Sequence, residues 1–502
     1  MLYRPSMPEK MWDTTLFYWK GDFHIFYLAQ GNIGHVSTRD FAAYRTYPSI
    51  YGFGGPGDWN QNGLPLTGCV TEQAGRFLML LGTIEPVSRR QVYGLYTSED
   101  LIVWEEYPYN PVLNADGVFY DNCPSPRDGG MYTAWRDPMI YQQEAGVYSL
   151  CLCARETETA PDSTGAVVAR VQTRDFIHYE YLPPLVRVGD SVKYAECPDC
   201  FVLEGNRYVL FLDHSWGGVR RHTSSRDNAA GIWYRVQPGC QGDFIRPEDD
   251  LLLGSAEDRQ ASWAGRTVVA GEDRLLYSHI TASRPGLAPP KVIRADEKGQ
   301  LYLEYYPLLD ALYGPEVPAE RSLVEDDAGS WREEGGRLVG SCLGWGSATV
   351  MYPAAENACL TATITCQKGV RAGFALRCVA EGEEWQGIVL WLDYEQQRVE
   401  MDQLVYRPGE GFGRACADIV NGGVVRNGDY KRMPLDYDRE YRIRLLMREE
   451  FFEVYIDDVW VITKAMETAA LSGGVLAVVE RGEAEFAASL RELRLTGGGN
   501  TV

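Results

Sequence analysis

The sequence predicts an all-β protein, a five-bladed β-propeller followed by a C-terminal β-sandwich. Three observations carry this. Paired short apolar runs around tight turns recur five times before residue 310. A turn element with a fixed residue pattern recurs between them. After residue 327 the apolar runs lengthen into period-two alternation, and helical patterning is scarce throughout.

The first hairpin is Leu16–Trp19 and Phe23–Leu28 around Lys20-Gly21-Asp22. Its counterparts are Cys69-Val70 with Phe77–Leu81, Met139–Tyr141 with Val147–Leu152, Phe201–Leu203 with Tyr208–Phe211, and Thr267–Val269 with Leu275–Ser278. The turn element reads Thr38-Arg39-Asp40-Phe41, Ser98-Glu99-Asp100-Leu101 and Thr173-Arg174-Asp175-Phe176, each with an aromatic residue three positions later. Repetition of a sheet-sized unit with its own turn marks a propeller, and five hairpins imply five blades. The predicted boundaries are residues 1–310 for the propeller, 311–327 for a linker and 328–498 for the sandwich. Strands are expected at Ala358–Thr365, Gln386–Leu392, Glu440–Leu446 and Phe452–Trp460, and Gly498–Val502 reads as a frayed tail. Trp331, Trp345, Trp385 and Trp391 of the sandwich read as core.

A chain of 502 residues is too long for one core, which agrees with two domains. The formal charge of -22 argues against nucleic acid or an anionic membrane as partner. The 13 Trp and 31 Tyr suit both a β-rich fold and the stacking faces of sugar sites. No apolar run is long enough to span a bilayer, and the N-terminus lacks a signal-peptide pattern. The 12 cysteines are scattered, and neither Cys151-Leu152-Cys153 nor Cys197-Pro198-Asp199-Cys200 has a matching second pair. Free buried thiols in a cytoplasmic protein are therefore expected. The six histidines, His24, His35, His178, His214, His222 and His279, show no ligand spacing, so no metal or other cofactor is predicted.

Three acids stand in unusual surroundings. Asp13 follows Trp12 at the start of the first hairpin, Asp137 lies between Arg136 and Pro138, and Glu196 lies in Tyr194-Ala195-Glu196-Cys197-Pro198-Asp199 before an apolar run. Each falls at or just before the first strand of a different blade, where side chains converge on the propeller channel. Taken singly, each also fits a turn cap, a surface ion pair or a carboxylate at a strand end. Glu196, set half into a core, is expected to have a raised pKa, as a general acid requires. Arg136 is expected to lower the pKa of Asp137 and hold it ionised. Two carboxylates flanking a glycosidic bond are the minimal equipment for glycoside hydrolysis, and a third, ionised, can brace the sugar hydroxyls. No Gly-x-Ser-x-Gly or phosphate-binding loop competes.

These motifs resemble glycoside hydrolase family 32, the invertase, inulinase and levanase family, over nearly the whole chain. Glu196-Cys197-Pro198-Asp199 is similar to its Glu-Cys-Pro-Asp motif, Arg136-Asp137-Pro138 to its Arg-Asp-Pro motif, and Glu453–Asp458 to a strand of its sandwich. The first motif departs: Lys10-Met11-Trp12-Asp13-Thr14-Thr15 lacks the Asn before the Asp and the Pro-Asn-Gly after it. Thr67-Gly68-Cys69-Val70 stands where the family has Ser-Gly-Ser-Ala. The resemblance implies a five-bladed propeller and a sandwich, with Asp13 as nucleophile, Asp137 as transition-state stabiliser and Glu196 as acid/base. Trp12, Arg136, Gln30, Trp59 and Tyr194 would shape a furanose pocket. It implies a retaining β-fructofuranosidase acting on a small carbohydrate. A fructosyltransferase, an arabinofuranosidase or xylosidase of a related family, and an inactive carbohydrate-binding protein stay open as alternatives.

Overall fold

A computed structural model describes residues 2–5, 10–50, 54–61, 64–124, 133–157, 159, 163–189, 192–213, 230–255, 262–280, 285–323, 329–408, 410–414, 418–420, 423–425, 429–466 and 472–494. His214, His222 and the expected tail Gly498–Val502 lie outside the described residues. The chain forms two compact units, one spanning most of residues 2–306 and the other most of 307–495.

The first unit is propeller-like. Four separate four-stranded antiparallel sheets follow one another, with strands in chain order from first to fourth. Their first strands are Thr14–Trp19, Leu66–Gln73, Trp135–Glu144 and Glu196–Leu203. The strands Ser262–Ala270, Asp273–Ile280, Lys291–Ala295 and Leu301–Tyr305 continue the antiparallel pattern. All five hairpins expected from the sequence form, each as the first two strands of such a set. The first strands lie side by side in sequence, and Ser262–Ala270 returns to contact Thr14–Trp19.

Successive sheets pack face to face, because their inner strands are apolar on both sides. Phe26 and Ile33 of the first sheet meet Phe77, Met79 and Leu81 of the second. Leu80, Tyr93 and Leu95 of the second meet Trp135, Leu150 and Leu152 of the third. Cys151 and Val168 of the third meet Cys200, Val209 and Trp233 of the fourth. Burying that much apolar surface at about 25 cal/mol per Å² is the main term holding the sheets together.

The recurrent turn element has one structure at three sites, between the third and fourth strands of the first three sheets. The hydroxyl of Thr38, Ser98 or Thr173 accepts the backbone N–H three residues on, at 2.8–2.9 Å. The carboxylate of Asp40, Asp100 or Asp175 accepts the next two amides, at 2.8–3.1 Å. The apolar residue between them takes a left-handed conformation, with φ of 59°, 66° and 59° at Phe41, Leu101 and Phe176. Each of these side chains is buried, so packing holds a backbone geometry that would otherwise cost free energy.

The second unit is sandwich-like. In one layer Ala358–Lys368 lies between Glu440–Arg448 and Gly482–Leu493. In the other, Arg371–Glu381 lies between Gly473–Glu480 and Glu384–Asp393. Leu360, Ile364, Ile443 and Phe486 face Phe374, Leu376, Leu390 and Val475 in one core. Within the stretch read as a linker, Tyr313–Glu316 and Ser322–Leu323 are strands of this unit. Trp391 is buried and Trp331 packs on the core, but Trp345 is 64 % exposed, a correction to its reading as core. It sits beyond the end of a strand, in a turn, where the alternation rule no longer assigns a face.

Candidate active site

The acids sit where the first strands begin. Asp13 directly precedes Thr14–Trp19, Asp137 is the third residue of Trp135–Glu144, and Glu196 opens Glu196–Leu203. Four first strands carry a register shift at this level, between Leu66 and Cys69, Arg136 and Met139, Glu196 and Asp199, and Trp263 and Arg266. Such bulges re-aim side chains. At three of them the residue has positive φ: 61° at Asp137, 45° at Cys197 and 53° at Ala264. At the fourth stands Gly68, where a Cβ would lie 2.0 Å from the Leu80 carbonyl oxygen.

The bulges bring the acids together. Oxygens of Asp13 and Asp137 and the sulfur of Cys197 lie within 4.8 Å of one another. The Cys197 amide donates to Asp137 Oδ2 at 2.9 Å, and its thiol faces Asp13 Oδ2 at 3.7 Å. Thr67 donates its hydroxyl to Asp13 Oδ2 at 2.7 Å. Replacing the family's first serine by Thr67 thus keeps a hydroxyl available. Arg136 hydrogen-bonds Glu196 directly and lies 3.7 Å from Asp137 Oδ2. Asp13 and Glu196 keep side-chain exposures of 28 % and 18 %, against 4 % for Asp137. A solvated pair around a buried third carboxylate results. Burial pushes the Cys197 thiol well up, and the oxygens nearest it already hold protein donors, so this donor set reads as a hydrogen-bonded cluster rather than a metal cage.

The electrostatics of Asp137 differ from the sequence expectation. Its pKa is pushed up to about 6, by burial first, against the opposing pull of Arg136 and Arg266 and with a further push from Asp13 and Glu196. Desolvation outweighs the neighbouring arginine because the carboxyl has almost no water contact. Glu196 differs in another way: it has a guanidinium partner that its apolar sequence context did not announce.

Of the other expected site residues, Arg136 and Tyr194 belong to the cluster. The Tyr194 ring lies between the guanidinium groups of Arg136 and Arg155, at 4.6 and 4.8 Å. Trp12 is 40 % exposed, and its ring meets His279 edge-on at 6.1 Å. Gln30 is exposed just past Leu28, whose backbone pairs with Trp12 and Asp13, so it stands on the rim with no side-chain hydrogen bond to the acids among the described residues. Trp59 is elsewhere: it donates to Glu106 at 2.7 Å and lines a separate cavity.

Several residues escaped the sequence reading. Arg266 is fully buried and donates to the carbonyl oxygens of Gly68 at 2.9 Å and Asp137 at 2.6 Å. Tyr93 donates to the Thr67 carbonyl at 3.1 Å and accepts the Asp137 amide at 2.7 Å. His279 Nδ1 lies 3.8 Å from Asp13 Oδ1, and burial lowers its pKa, so its ring is neutral there. Asp199 accepts the amide and hydroxyl of Thr267, both at 2.7 Å, and so fixes the fourth first strand to the next. The available signal was an arginine inside an apolar first strand, Gly265-Arg266-Thr267-Val268.

Residues 8–237 match the model of the glycosyl hydrolases family 32 N-terminal domain. The N-terminal part of the chain is thus similar to the family 32 glycosyl hydrolases. Solved structures share the fold over nearly the whole chain. A fructan 1-exohydrolase IIa from Cichorium intybus is 15 % identical with a TM-score of 0.67, covering 99 % of this chain and 97 % of its own. A Bombyx mori family 32 β-fructofuranosidase is 14 % identical with a TM-score of 0.66, over 98 % and 93 %. A sucrose-6-phosphate hydrolase from Lactobacillus gasseri is 11 % identical with a TM-score of 0.64, over 97 % and 92 %. No curated protein sequence matches the chain. The matched stretch contains Asp13, the Arg136-Asp137-Pro138 motif and the Glu196-Cys197-Pro198-Asp199 motif.

Proposed function

We propose that this protein is a retaining glycoside hydrolase that cleaves β-fructofuranosides through a covalent fructosyl-enzyme intermediate. The observation that carries the reading is the convergence of Asp13, Asp137 and Glu196 from three different first strands, joined through Arg136 and Cys197. In this reading Glu196 protonates the leaving oxygen while Asp13 attacks the anomeric carbon. Glu196 then takes a proton from the water that releases the sugar. Asp137, buried and ionised, accepts sugar hydroxyls and stabilises positive charge on the ring. Arg136 and Tyr194 hold Glu196 in place, Trp12 walls the furanose pocket, and Gln30 stands at its rim. The four strands between residues 262 and 305 are read as a fifth blade, since Ser262–Ala270 completes the circuit to Thr14–Trp19. The free buried thiols fit a cytoplasmic setting, which cell fractionation tests.

The family 32 match supports the substrate class, and two of the similar structures are described as complexes, one with sucrose and one with 1-kestose. The test is fructose release from sucrose, inulin and levan oligosaccharides, with aryl arabinofuranosides and xylosides alongside. Fructose release is expected, with Glu196→Gln lowering kcat by about 10²–10⁴-fold and Asp13→Asn reducing it to background. Added methanol is expected to yield methyl β-fructofuranoside. Turnover of arabinosides or xylosides alone would move the substrate to the neighbouring families, and sugar binding without any turnover would leave a binding protein.

A further inference from the structure

Trp59 lines a cavity of about 1150 Å³ together with Glu85, Tyr96, Glu106 and Tyr107, in which none of the three acids takes part. This exceeds the usual small-molecule pocket and has room for several ring-sized groups. Its floor is held in place: the indole lies against Gly94, where a Cβ would stand 2.6 Å from the ring, and Glu106 fixes its N–H. The wall thus offers an aromatic face flanked by carboxylates, which suits a neutral polyhydroxylated ring stacking through its C–H face while its hydroxyls donate to Glu85 and Glu106. Three lining carboxylates, Asp58, Glu85 and Glu106, make it a poor host for an anion.

One side of the cavity, Glu85 to Ser88, lies at the same end of the second sheet as Thr67. Glu85 begins the turn to Arg90, and that turn leads into Gln91, which accepts the Trp135 amide at 2.9 Å. Thr67, bonded to Asp13, lies at this end of the first strand of the same sheet. Gly94 belongs to the third strand and Glu106 to the fourth. At about 4.8 Å per strand, the platform is roughly 10–14 Å outward from Thr67. A disaccharide held at the acids does not span that, whereas an oligosaccharide does.

We propose that this cavity binds the distal units of an oligosaccharide whose terminal unit occupies the acid cluster, with Trp59 as the stacking platform. The proposal rests on the fructosidase reading and adds a preference for chain length. The test compares kcat/KM for an inulin-type pentasaccharide with that for sucrose, in wild type, Trp59→Ala and Glu106→Ala. The ratio cancels any loss of folded enzyme. It is expected to fall about tenfold in Trp59→Ala and by less in Glu106→Ala. An unchanged ratio in both variants overturns the proposal. Should wild type turn over neither sugar, the fructosidase reading fails, and calorimetric titration with the pentasaccharide still decides the cavity. Binding lost in Trp59→Ala supports it, and absent or equal binding overturns it.

Discussion

Asp137 shows how a neighbour in sequence can mislead about charge. Arg136 is adjacent and 3.7 Å away, yet burial dominates and the carboxyl titrates near 6. In the proposed stabilising role Asp137 must be ionised, so kcat/KM should fall as pH drops through about 6, and a pH profile checks this. The same shift has a stability consequence of opposite sense. The folded state binds this proton more tightly than the unfolded chain, so the associated stability is present at low pH and lost as pH rises towards 6. Arg266 is the other decisive residue. Arg266→Met removes the guanidinium donor from the Gly68 and Asp137 carbonyls, leaving Gly68 with the Thr15 hydroxyl, and a loss of about 2–4 kcal/mol with a lower melting temperature is expected. Neither effect was legible in the chain. Sequence shows residue types, whereas desolvation and the partner of a buried arginine depend on strands far apart in number.

The elements were more readable. Each hairpin announced itself because a strand pair is local: apolar runs, a polar turn, and a return. The Thr-x-Asp-apolar turn was visible as a repeat because its hydrogen bonds span only two or three residues. The bulges that aim the acids left no such trace, and the placement of Trp59 against Gly94 depends on a long loop returning to the sheet. Within the first sheet, strands two and three are joined by a buried histidine pair, His24 Nδ1 to His35 Nε2 at 3.0 Å. His35 is stacked between Phe26 and Tyr47, and burial, aided by His24, pulls its pKa down to about 3. A base whose folded pKa is depressed is protonated first in the unfolded chain. Stability is therefore lost as pH falls below about 6.5, on the order of 4 kcal/mol by pH 3. His35→Phe keeps the stacked ring and removes this titration. Its unfolding free energy, followed by denaturant titration between pH 7 and 4, should fall less steeply than wild type.

At the scale of the molecule, the formal charge of -22 sets the behaviour. Self-repulsion of that size works against the compact state and is screened within about 10 Å at 0.1 M salt. The melting temperature should rise between 10 and 200 mM sodium chloride, as scanning calorimetry would show. The acidic surface also leaves neutral sugars as better-suited ligands than polyanions, in keeping with the carboxylate-lined cavity beside Trp59.

Arg266, which anchors the strands bearing Gly68 and Asp137, is separated from Asp13 by more than half the chain. On a ribosome adding about 5–20 residues per second, Asp13 leaves the tunnel roughly 10–50 s before the residue that closes its surroundings. The first four sheets can form and pack pairwise during that interval, but their carboxylates stay unbraced until the last sheet arrives. A nascent chain arrested before residue 262 is then a folded scaffold without a catalyst, and birth of activity marks the end of propeller synthesis rather than its beginning.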